Sequence, residues 1–249
     1  MSSTESLPGT AGPAPLKGQT TILAPSRVER SIARRTSEVR ATVPDLELSA
    51  DVDATGLLAA TAHGCSPAAV LTRACAQALR AHPRANAAYR DGRYELYSRV
   101  NVAVTVPTED GWLSPTLLDA DTKSLAALDA ELSGLAARAV AGELTPPQVA
   151  GATFTVTDLG AWRVSRPSGF VAAPQAASLV AGAVQAVPVI REGAVVPGHR
   201  ITLTLACDGR ILFGVHAARF LGAVADALEI SAPGQSGAPR NSAPGQSGA

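Results

Sequence analysis

The stretch CDGRILFGVHAARF, Cys207–Phe220, decides how this chain is read. Upstream of it, Ile201, Leu203 and Leu205 alternate with polar residues, the period-two pattern of a strand with one buried face. Downstream, residues 217–228 read as a closing helix. Asp208 ends the strand pattern with a carboxylate. Gly209 offers no side chain at all, Phe213 offers only an apolar ring, and His216 stands just ahead of the helix.

Working outward, helix and strand signals alternate. Ser26 followed by Glu29 makes a capping box, after which Val28 and Ile32 repeat at helical spacing. Leu46, Leu48, Ala50 and Val52 alternate as a strand. Ser66-Pro67 opens a helix whose buried face is Val70, Leu71, Ala74, Cys75, Ala78 and Leu79. Val100, Val102, Val104 and Val106 predict one clear strand. Leu125, Leu128, Leu132, Leu135 and Ala139 mark a long amphipathic helix ending at Gly142. Thr145-Pro146 starts a short helix, and residues 154–157, 178–183 and 201–205 are strands. Mixed order with a late β stretch argues an α+β fold around a mixed sheet.

Composition narrows the function classes. The 249 residues, 46% hydrophobic, suffice for one sizeable domain with tails. Residues 1–21 and 230–249 are Ser-, Gly- and Pro-rich, the latter holding SAPGQSGA twice, and are expected to be disordered around a domain at 22–229. Lysines plus arginines equal aspartates plus glutamates at 21 each, so no net field favours nucleic acid or an anionic membrane. The mixed charges of 27–40 read as a solvated helix face. No apolar run reaches the ~20 residues of a membrane span, and no secretory leader is visible. Cys65, Cys75 and Cys207 lack metal-ligand spacing and fit reduced thiols in a cytoplasmic protein. His63 beside Cys65 falls short of a metal site. His82 and His199 are expected in exposed loops.

Many short motifs occur in a fixed order: RSIARR (30–35), Val52-Asp53, PRAN (83–86), WLSP (112–115), DADTKSL (119–125), TFTVTDLG (153–160), PQAA (174–177) and the 207–221 stretch. Together they resemble the catalytic domain of the 2-oxoacid dehydrogenase (dihydrolipoamide) acyltransferases, relatives of chloramphenicol acetyltransferase, over residues 26–228. The resemblance implies a two-layer α+β sandwich with a mixed sheet, assembled as a homotrimer with its channel between subunits. Thr36 replaces the family's usual Met, and Ala172 and Ala173 replace its Asn-Pro. No lipoyl domain is expected ahead of this region, and no cage beyond the trimer.

In that family a histidine removes the proton from the thiol of coenzyme A or dihydrolipoamide, and the thiolate attacks an acyl thioester. A hydroxyl on the Thr-Val-Thr strand then donates to the tetrahedral oxyanion. By resemblance Thr157 supplies that hydroxyl, whereas Gly209 stands at the histidine's position and Phe213 at that of its Asp or Asn partner. Glycine has nothing to replace imidazole, and an apolar ring raises the cost of charge nearby. His216 is the candidate substitute base. Trp112, Ser114, Asp158, Trp162 and Arg163 are candidates for the substrate channel, with coenzyme A or an acyl-CoA as substrate and no metal.

Three readings stand. The first and preferred one is a noncanonical acyltransferase-family enzyme acting on an acyl thioester or acylated small molecule, by acyl transfer or acyl elimination in a biosynthetic pathway. The second is a pseudoenzyme, a structural or regulatory trimer or acyl-CoA-binding protein. The third is an ordinary acyltransferase whose base is His216.

Overall fold

The computed structural model describes residues 17–109 and 111–230; most of the N-terminal tail and nearly all of the repeat tail lie outside the described residues. In chain order the elements are α1 (Arg27–Thr42), β1 (Asp45–Asp53), α2 (Thr55–Ala62), α3 (Pro67–Ala81), β2 (Ala87–Arg90), β3 (Arg93–Leu96), β4 (Val102–Val104) and β5 (Val106–Thr108). They continue as β6 (Gly111–Leu113), β7 (Thr116–Leu117), α4 (Leu125–Ala141), β8 (Phe154–Asp158), β9 (Ala177–Ala181), β10 (Gln185–Arg191), β11 (Ala194–Asp208) and α5 (Val215–Ile230).

The helices begin and end where their caps dictate. Ser26 accepts from the Glu29 amide while Glu29 reaches back to the Ser26 amide, closing the expected capping box. Ser66 caps α3 with Pro67 in the first turn, a cap that stabilises by about 1 kcal/mol. Gly142 ends α4 at φ 71°, a left-handed conformation that glycine adopts without a Cβ penalty.

The main sheet runs β1-β11-β9-β8-β4-β7, with β10 also paired to β11. Strands β4, β8 and β9 are mutually parallel and the other pairings antiparallel, so the sheet is mixed as expected. Helices α3 and α5 pack together on one face, and Phe154, Val156, Leu179, Leu203, Leu205 and Cys207 point into them. Leu71, Leu79, Leu128 and Phe220 are fully buried there, each stabilising by roughly 1.5–3 kcal/mol relative to exposure. The opposite face is more polar, and there Val39 of α1 packs with Val43, Val171 and Ala206.

Two expectations are corrected. The valine run 100–106 is not one strand. Val102–Val104 joins the main sheet, and the chain then leaves it at Thr105 to pair Val106–Thr108 with β6 in a separate hairpin. Alternating valines satisfy both halves of such a bend, so periodicity does not reveal it. His199 lies in β11 rather than a loop, though exposed, and His82 is half-buried with its ring 6.0 Å from that of Phe220.

Candidate functional site

Strand β8 sorts its own side chains. Phe154 and Val156 turn into the helical core, so Thr155 and Thr157 point to the opposite face. There the Thr155 hydroxyl donates to Oε1 of Gln175 at 2.8 Å, and Oγ1 of Thr157 lies 2.8 Å from Oγ1 of Thr105. Thr105, the residue between β4 and β5, is held by its amide donating to the Val156 carbonyl at 2.9 Å. Ser114 Oγ stands 3.5 Å from Thr105 Oγ1, the long end of a hydrogen bond. Thr105 escaped the sequence reading because it falls inside an apparent strand. The parallel register of β4 against β8, with Val104 opposite Val156, sets its hydroxyl beside Thr157.

The other expected channel residues lie on the segments that lead into and out of these hydroxyls. The rings of Trp112 and Trp162 meet with centroids 5.4 Å apart at 52°, and both are nearly half exposed. Asp158 follows Thr157, its Oδ1 accepting from the Gly160 amide at 2.8 Å. Burial pushes its carboxyl above the ordinary range, against the opposing effect of that amide. Arg163 follows Trp162 with φ 61°, left-handed and exposed.

The remaining candidates form a second cluster. Val180 of β9 pairs with both Thr157 and Thr204, and Gly209 lies five residues beyond Thr204 along β11. Two strand spacings and five strand rises put Thr157 and Gly209 about 19 Å apart within one chain. Phe213 and His216 follow Gly209, their rings 6.1 Å apart edge to face. His216 thus belongs with Phe213 to the cluster beyond the end of β11.

This second cluster is organised by the Asp208–Arg210 ion pair. Asp208 is buried and accepts from the Arg210 amide and Nε at Oδ1 and from a terminal nitrogen at Oδ2, 2.7–3.0 Å away. The Asp208 hydrogen bonds hold the Arg210 guanidinium above its ordinary pKa, and it lies 4.6 Å over the Tyr89 ring. The salt link is local to the strand end. The neighbouring Cys207 thiol, buried in the core, is pushed up to about 12 by burial and then by the Asp208 charge, so it is no nucleophile.

A cavity of about 620 Å³ opens on the helical side, lined by Val70, Ala74, Ala78 and Ala223 of α3 and α5, away from both clusters. Among the described residues no group of three or more His, Cys, Asp or Glu side chains could hold a metal, and no helix is long and apolar enough to cross a membrane.

Comparison with known proteins places this arrangement. The dihydrolipoyllysine-residue acetyltransferase component of the pyruvate dehydrogenase complex of Zymomonas mobilis is 31% identical over 214 residues, covering 82% of this chain and 49% of that protein. The chain thus spans about half the length of that relative. The solved dihydrolipoamide acetyltransferase of Azotobacter vinelandii superposes with a TM-score of 0.81 at 28% identity, covering 89% of this chain and 97% of that one. A chloramphenicol acetyltransferase shares the fold at 16% identity, with a TM-score of 0.51 over 78% of this chain and 94% of that one. Residues 17–235 match the model for the catalytic domain of the 2-oxoacid dehydrogenases acyltransferases, and the chain belongs to that family.

Proposed function

We propose that this chain is a noncanonical acyltransferase-family enzyme that takes an acyl thioester, such as an acyl-CoA, and works as a trimer whose chains share each site. The observation that carries this reading is the placement of Thr157, whose hydroxyl is held by Thr105 on the face of the sheet opposite α3 and α5. The Azotobacter vinelandii structure concerns a serine, a histidine and an asparagine in that enzyme's catalytic mechanism. The two sequence intervals between those residues equal the intervals separating Thr157, Gly209 and Phe213 here. The hydroxyl is kept and the other two positions are vacated.

The chemistry follows from what remains. An attacking thiolate adds to the thioester carbonyl, and the carbonyl π electrons move to oxygen. Thr157 keeps its hydrogen and donates a hydrogen bond to that oxyanion, which then collapses and expels the original thiolate. With no imidazole at 209, the acceptor has to arrive as its own conjugate base. The separation of about 19 Å between Thr157 and Gly209 in one chain means that a site using both clusters needs a second copy, which supports the trimer. A cytoplasmic setting fits the three free thiols.

A second reading, a catalytically silent trimer that binds an acyl thioester, is favoured by one observation: the space at position 209 is closed by backbone. Thr157→Val separates the two. On the enzyme reading, it lowers turnover of a thioester substrate on the order of 100-fold with the thermal midpoint unchanged. No turnover by the natural protein with any acyl-CoA and thiol or hydroxyl acceptor tried would establish the silent reading instead.

A further inference from the structure

We propose that Thr105 is a positioning residue that aims the Thr157 hydroxyl, so that the oxyanion donor of this chain is a two-hydroxyl relay rather than a lone side chain. The inference rests on the reading of Thr157 as that donor. A threonine hydroxyl has one hydrogen and two lone pairs. At 2.8 Å the pair Thr105–Thr157 is hydrogen-bonded in one of two directions. If Thr157 donates to Thr105, no hydrogen is left for a ligand. If Thr105 donates to Thr157, the Thr157 hydrogen is free to point into the site.

An arriving oxyanion selects the second direction, because it attracts that hydrogen and Thr105 can supply its own in return. Donation into the Thr157 oxygen polarises its O–H bond and strengthens the bond it makes onward, by roughly 10–30% for each added link. Ser114, 3.5 Å behind Thr105, can extend the relay weakly once Thr105 has turned. The geometry is fixed by backbone: the Thr105 amide bonds to the Val156 carbonyl, one residue before Thr157, so both hydroxyls ride on the same pair of strands. Both side chains are only half-buried, which leaves the second lone pair and the free hydrogen accessible.

The test uses the full-length protein with acetyl-CoA carrying ¹³C at its thioester carbonyl, and reads the carbonyl resonance in the bound state. Hydrogen bonding to the carbonyl moves this resonance relative to free acetyl-CoA. The expected result is a displacement in the natural protein that Thr157→Val abolishes, Thr105→Val lowers by roughly a tenth to a third, and Thr105→Ser restores. Thr105→Val turnover should fall about threefold to tenfold in kcat with little change in KM. A merely structural role would move the thermal midpoint and not the resonance. A displacement sensitive to Thr157→Val but untouched by Thr105→Val overturns the relay and leaves the donor reading standing. No displacement in the natural protein, or one unchanged by Thr157→Val, overturns both.

Discussion

The Gly209 amide donates to the Pro44 carbonyl at 2.9 Å, and the same oxygen lies 2.8 Å from where a β-carbon at position 209 would sit. The ladder between β1 and β11 begins at Asp45 opposite Asp208, and this bond extends it by one residue. Position 209 is therefore a backbone contact, with no room for a side chain unless the start of β1 moves. Gly209→Ala is expected to cost about 1–3 kcal/mol of stability, measured by urea denaturation, because the clashing partner is main chain. A fully stable alanine variant would show that this strand start yields freely.

It follows that Gly209→His with Phe213→Asp restores little. In acetyl transfer between acetyl-CoA and dihydrolipoamide the double variant should gain less than about tenfold, against the 10²–10⁴ that a working general base contributes. A larger gain would mean that the vacated position needs only its side chains back.

Without a base, catalysis should follow ionisation of the acceptor. For a thiol acceptor of ordinary pKa near 8.5, kcat/KM should climb about tenfold per pH unit between pH 6 and 8, with no break near 6.5. A plateau above an inflection in that range, removed by His216→Ala, would make His216 the base.

Asp158 is held above its ordinary carboxylate range by burial. Because its folded pKa exceeds the unfolded value, its contribution to stability is greatest below the unfolded pKa of 3.8 and is lost as pH rises through the raised folded value. Asp158→Asn keeps an acceptor for the Gly160 amide and removes the charge. It should raise the thermal midpoint by about 1–3 °C at pH 7, with the gain vanishing toward pH 3. An equal gain at both pH values would contradict the titration argument.

The Asp208–Arg210 pair is asymmetric, with side chains 4% and 33% exposed. Arg210→Ala leaves a buried carboxylate with only a backbone amide and should cost about 2–3 kcal/mol. Asp208→Ala leaves an arginine that can turn to water, so it should cost less. Chemical denaturation of both variants decides it, and the reverse order would show that the Arg210 contacts with Tyr89 matter more than the ion pair.

Local chemistry made much of the fold legible in sequence. Ser26 with Glu29, Ser66 with Pro67, and Gly142 act through backbone groups within a turn of themselves, so their helix ends could be read residue by residue. The alternation in 46–52 and 154–157 likewise placed two strands and set Thr157 on the face away from Phe154 and Val156. The ordered motifs from RSIARR to the 207–221 stretch were enough to indicate the family.

What the sequence could not contain is anything fixed by residues meeting from afar. The valines of 100–106 carry the same period on both sides of the break at Thr105, so only the pairing of β4 with β8 and of β5 with β6 decides where the strand ends. The Thr105–Thr157 bond, the Trp112–Trp162 contact and the Pro44 carbonyl over Gly209 each join separate elements through sheet register and loop path. Sequence could name Thr157 and Gly209 as partners in one chemistry. The order of β8, β9 and β11 in the sheet holds them about 19 Å apart in a single chain, because each strand crossed adds a fixed spacing and each residue along it a fixed rise.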